Sequence, residues 1–138
     1  MKKYCFDLDG VICNNTNGDY VNAQPSQDAI KKINSLYEKG NEIIIFTARY
    51  MGRNDNDISK AYDEGYELTR SQLEKWKVNY HKLLLGKPEF DILIDDKSFP
   101  YINISTSAEW PRIKKHRGKL NKSDISFGPF SNVSAVEN

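Results

Sequence analysis

Two aspartates two residues apart, Asp7 and Asp9, follow the apolar run Tyr4-Cys5-Phe6 and lead straight into Gly10. Residues i and i+2 of a strand face the same side, so both carboxylates can serve one pocket at the strand's C-terminal end. Gly10 lets the chain turn away there without a Cβ penalty. Two carboxylates in one place repel unless a proton or a cation intervenes. Mg²⁺ suits such a hard oxygen set, above all when a substrate phosphate completes it. Further on, Thr47 ends the run Ile43-Ile44-Ile45-Phe46, Lys87 sits in Gly86-Lys87-Pro88, and Asp95-Asp96 ends Phe90-Asp91-Ile92-Leu93-Ile94. Carboxylates, a hydroxyl and an ammonium around one Mg²⁺ form a set for handling a phosphoryl group. The metal removes much of the repulsion between an anionic attacker and a phosphate. Thr47 and Lys87 hold the remaining oxygens. One aspartate can attack as a nucleophile, and the second, two residues on, can protonate the leaving oxygen and then activate water.

The elements that must position these groups are readable from periodicity. Residues 3–8 predict a buried strand, in which Cys5 is a small buried hydrophobe. Residues 10–25, rich in Gly, Asn, Asp and Pro, predict a loop. Ser26 is a good N-cap, and Ile30, Ile33, Leu36 and Tyr37 fall at helical spacing, so 26–39 predicts an amphipathic helix ended by Gly40. The β-branched run at 43–47 has the look of a buried parallel strand. Residues 49–66 predict an irregular polar excursion with a helical turn around 57–63, followed by a helix over 67–78. A third strand is expected at 81–85, a fourth, buried one at 90–95, a short edge strand at 101–104 and a last helix at 110–115. Strands alternating with helices argue for α/β architecture, and such sheets bind ligands beyond the carboxyl ends of their strands.

The chain has 138 residues, 38% hydrophobic and 28% charged, which fits one globular domain. The domain is expected over 1–116, with a C-terminal tail at 117–138. Its formal net charge of +1 gives no electrostatic reason to expect nucleic acid or an anionic membrane as the main partner. Two cysteines, Cys5 and Cys13, are too few for a disulfide framework and point to a reducing cytoplasm. The stretch Arg112 to Lys119, with His116, reads as a solvated face. His81 reads as a hydrogen-bonded or packed histidine, and Trp76 and Tyr80 as core.

Asp7-Leu8-Asp9-Gly10-Val11, then Thr47, Lys87 and Asp95-Asp96, resembles in order and spacing the four motifs of the haloacid dehalogenase (HAD) superfamily of phosphohydrolases. The resemblance implies a Rossmann-like three-layer α/β/α sandwich with a central parallel sheet and no large cap domain. It implies that Asp7 is the nucleophile and Asp9 the general acid/base. It also implies that Mg²⁺ is bound by Asp7, the Asp9 backbone carbonyl and one carboxylate of Asp95 and Asp96. From Trp76 onward the chain is similar to small capsule and lipopolysaccharide biosynthesis phosphatases, which implies hydrolysis of a sugar or polyol phosphate through an aspartyl-phosphate.

Two alternatives stand beside that phosphatase reading. One is a nucleotidase acting on nucleoside monophosphates. The other is a non-catalytic phosphometabolite-binding protein on the same scaffold. The expected partner is a small phosphomonoester, with no nucleic acid and no membrane, and a homo-oligomer would complete an open site. Gly10, Thr47, Ala48, Arg49, Arg53 and Lys87 are the candidate substrate contacts, with Tyr50 beside them.

Overall fold

The computed structural model describes residues 1–99. The chain divides into two compact units, Met1–Ile92 and Leu93–Asn138. The expected strand at 101–104, helix at 110–115 and tail at 117–138 lie outside the described residues. The first unit holds a three-stranded parallel sheet: β1 (Lys3–Phe6), β2 (Glu42–Thr47) and β3 (Lys82–Leu85), in that order across the sheet. Helix α1 (Gln27–Glu38) connects β1 to β2, and α2 (Ile58–Lys75) connects β2 to β3. Phe6 pairs with Ile45, and Thr47 with Leu85.

Helix α1 begins where the sequence predicts it. The Ser26 side chain accepts a hydrogen bond from the Ala29 N–H at 3.3 Å. Ala29, Ile30, Ile33 and Leu36 form its buried stripe. In β2, Ile43, Ile45 and Thr47 are buried. His81 takes the structural role: its Nδ1 accepts the Ile43 N–H at 3.0 Å, and its ring stacks on Tyr37. Trp76 and Tyr80 are half-buried.

Three expectations are corrected. Helix α2 is continuous from Ile58 and absorbs the second half of the predicted excursion, with Asp57 as N-cap accepting from the Lys60 N–H at 3.1 Å. Gly65 lies within it, and the Tyr50 ring occupies the space a side chain would fill there. Second, no strand forms over 90–95. Phe90, Ile92, Leu93 and Ile94 are exposed, Ile94 to 90%. A short apolar run does not by itself specify a strand. Third, β1 is not buried on all sides. Its residues alternate between exposed and half-buried, and Cys5 is exposed. No helix among the described residues is long and apolar enough to cross a membrane.

Candidate functional site

Immediately after β1 the chain winds around one acceptor. The Leu8 carbonyl receives the N–H groups of Val11, Ile12 and Cys13, and the Gly10 N–H returns to the Cys13 carbonyl at 2.7 Å. Gly10 makes this turn at φ +90°, a conformation that side chains resist. The turn presents Asp7 and Asp9 at the C-terminal end of β1. Thr47 closes β2, and Lys87 follows β3, where its N–H meets the Thr47 carbonyl at 3.3 Å. Asp7, Asp9, Thr47, Ala48, Arg49, Arg53 and Lys87 thus reach one open pocket of about 610 Å³. Within the first unit, three strand ends build it.

The pocket's charges fall into two groups. Arg49 is buried and grips Asp9 with both arms, Nε to Oδ2 at 2.8 Å and Nη2 to Oδ1 at 2.9 Å. Its Nη1 donates to Gln72 Oε1 at 2.6 Å, and its guanidinium lies 4.7 Å from the Tyr20 ring centre. Burial opposes the guanidinium's charge, but the hydrogen bonds and charge of Asp9 outweigh it, so the Arg49 pKa is raised. The Cys13 thiol donates to Asp9 Oδ1 at 3.3 Å; burial, then the Asp9 charge, pushes its pKa up to about 12. Asp9 is therefore an anchored carboxylate, and Arg49, a candidate substrate contact, is committed to holding it. Arg53 is similarly engaged: it donates to Glu64 at 3.0 Å and the Gly18 carbonyl at 2.9 Å, over the Tyr20 and Tyr50 rings. Tyr50 is buried. Gly10 shapes the turn and does not line the pocket.

The second group is looser. Lys87 Nζ lies 3.7 Å from Asp7 Oδ1, a long and partly solvated pair. Thr47 Oγ1 accepts the Arg49 N–H at 3.1 Å, which leaves its own proton to donate. Burial raises the Asp7 pKa, against the opposing pull of Lys87 and the Leu8 N–H. A carboxyl whose folded-state pKa is raised stabilises the fold below its unfolded pKa and loses that contribution as pH rises through the folded value. Asp7→Asn is thus expected to gain melting temperature relative to wild type as pH climbs from about 4. Thermal scans from acid to neutral pH check this; a wild-type advantage that grows with pH would contradict it.

Of the expected Mg²⁺ donors, Asp7 and Asp9 lie in the first unit and line its pocket. Both Asp9 carboxylate oxygens are taken by Arg49, which leaves Asp7 and the exposed Glu89 as the pocket's other acids. Asp95 and Asp96 belong to the second unit, where the Lys97 N–H bonds Asp95 at 3.2 Å and holds its pKa low. Among the described residues no three His, Cys, Asp or Glu side chains are placed to hold a metal. What the pocket offers is a cation and a hydroxyl able to receive anionic oxygen.

Tyr20 also lines the pocket, as do Asn15, Asn17, Glu89 and Phe90, which were not singled out from the sequence. Asn15 and Asn17 sit in a polar loop where neither spacing nor periodicity marks them. Phe90 was assigned to a strand.

No protein-family profile matches the chain. Curated relatives are named UvrABC system protein C. That from Saccharophagus degradans is 44% identical over 71 residues, 51% of this chain and 12% of the relative. That from Ruegeria is 39% identical over 80 residues, 57% of the chain and 13% of the relative. That from Hydrogenovibrio crunogenus is 28% identical over 120 residues, 86% of the chain and 18% of the relative. The chain therefore spans only a small part of the length of these relatives. Among solved structures, a Vibrio cholerae protein described as an MCSG target is 30% identical, with a TM-score of 0.75, over 86% of this chain and 98% of that one.

These relatives overturn several expectations. The UvrABC names contradict the HAD resemblance and the phosphomonoester hydrolase reading in all its forms: the sugar or polyol phosphatase of capsule and polysaccharide synthesis, the nucleotidase and the phosphometabolite-binding protein. They also contradict a small-molecule partner with nucleic acid excluded. The motifs misled because a strand ending in carboxylates, a strand-end threonine and a turn lysine recur wherever anionic oxygen is bound beside a parallel sheet. Net charge misled because it averages over the chain.

Proposed function

The chain belongs to the family of the Vibrio cholerae protein, and we propose that it is a nucleic-acid-binding component of DNA repair that works with the UvrABC system. In this reading its pocket receives a backbone phosphate. The observation that carries it is that Lys87 and the buried Thr47, at adjoining strand ends, both line the open pocket, with Arg49 and Arg53 already engaged elsewhere. An ammonium and a hydroxyl at adjoining strand ends bind phosphate oxygens without reading sequence. The charge distribution supports the same reading. Arg112, Lys114, Lys115, Arg117, Lys119 and Lys122 fall within eleven residues that contain no acid, so the rest of the chain keeps 14 basic residues against all 19 acidic ones. A basic block of this kind is a nucleic-acid signature that the total of +1 conceals.

The test is fluorescence anisotropy of a labelled oligonucleotide across a salt series, with wild type and Lys87→Met. Wild type is expected to bind with an affinity that falls steeply with salt. Lys87→Met is expected to weaken binding for every sequence and to reduce the salt slope by about one. Absence of binding at low salt, or a Lys87→Met variant indistinguishable from wild type, would refute the proposal.

A further inference from the structure

The pocket is larger than a phosphate needs. At about 610 Å³ it falls in the range that encloses a whole small ligand. One wall carries Lys87; beside it the Phe90 ring centre lies 5.5 Å from Lys87 Nζ. Phe90 is 41% exposed and belongs to no strand or helix, so neither the sheet nor a helix face requires a phenyl ring there. Asn15 and Asn17 line the same pocket, and the Asn15 side-chain Oδ1 accepts the Asn17 backbone N–H at 3.0 Å. Side-chain amides both donate and accept, as base edges do.

Resting on the nucleic-acid reading above, we propose that Phe90 is a base-stacking platform and that the pocket takes one nucleotide of a single strand. The backbone phosphate lies toward Lys87 and Thr47, and the base lies on Phe90. A base in a duplex is already stacked and cannot reach the ring, whereas an unpaired base can. Aromatic stacking tolerates any sequence, because every base has a π-face. The site therefore prefers single-stranded to duplex nucleic acid while reading little sequence.

The experiment uses the full chain and three labelled probes of equal length: oligo-dT, a blunt duplex, and an abasic strand with the same phosphates. Wild type is expected to bind oligo-dT more tightly than either of the others. Phe90→Ala is expected to lose about 5- to 100-fold in affinity for oligo-dT and to bind the abasic strand as wild type does. Phe90→Trp is expected to retain the preference, which separates stacking from a loss of folding. Equal wild-type affinity for oligo-dT and the abasic strand, or a Phe90→Ala variant that binds oligo-dT normally, overturns the stacking proposal alone. Failure of wild type to bind any of the three probes overturns the nucleic-acid reading as well.

Discussion

Arg49→Leu is expected to destabilise the fold by about 3–5 kcal/mol, the range for removing one partner of a buried ion pair. The Arg49 side chain is fully buried, and Asp9 is 17% exposed, so water cannot take over the carboxylate once the guanidinium is gone. The loss spreads further. Arg49 Nη1 is bonded to Gln72 Oε1, and Gln72 Nε2 in turn donates to the Tyr20 carbonyl at 2.6 Å. One guanidinium therefore ties the turn after β1, the loop at Tyr20 and helix α2 together. A domain of this size has a total stability of about 5–15 kcal/mol, so the variant is expected to sit near the edge of folding. Urea denaturation measures the effect, and Arg49→Leu combined with Asp9→Leu should recover part of it, because no bare charge remains. A single-variant loss below about 1 kcal/mol would show that Asp9 is well solvated without its partner.

Gly65→Ala is the second large effect, and its sign runs against helix propensity. In an exposed helix the change gains up to about 1 kcal/mol. Here an added Cβ would collide with Cδ2 and Cε2 of the Tyr50 ring, and Tyr50 is only 7% exposed. The ring has nowhere to retreat: it packs on Tyr20 at 4.8 Å between ring centres and lies under Arg53. Tyr50 also adopts φ +66°, so the backbone beneath it is already strained. The expected cost is about 1–3 kcal/mol, the usual range for overpacking. In a Tyr50→Ala background the obstruction is gone and Gly65→Ala should become neutral or stabilising. Thermal denaturation of the four proteins reads this reversal; an unchanged sign in the Tyr50→Ala background would place the obstruction elsewhere.

What the sequence made legible was local. Ser26 and the spacing of Ile30, Ile33 and Leu36 marked α1, and the run Ile43–Thr47 marked β2, because caps and periodicity are short-range signals. They also placed Asp7, Thr47 and Lys87 at strand ends, which was enough to find the pocket. The long-range relations were hidden. Forty residues separate Asp9 from Arg49, and nothing in either neighbourhood announces the pair. The need for a bare Cα at Gly65 was hidden because the ring that fills that space comes from Tyr50, fifteen residues earlier. The run Ile92-Leu93-Ile94 looked buried because its composition is that of a strand, whereas its exposure depends on whether a sheet edge receives it. Nucleic acid was excluded on total charge, which hid the basic block at 112–122 behind acids elsewhere.

The most direct test of the central claim is amide chemical-shift mapping of the ¹⁵N-labelled chain during titration with a short single-stranded oligonucleotide. Shifts concentrated at Thr47, Ala48, Lys87 and Phe90, with Ser26 and the rest of α1 unmoved, are the predicted result. Shifts that spare the pocket altogether would contradict the account, since the phosphate would then be bound elsewhere on the chain.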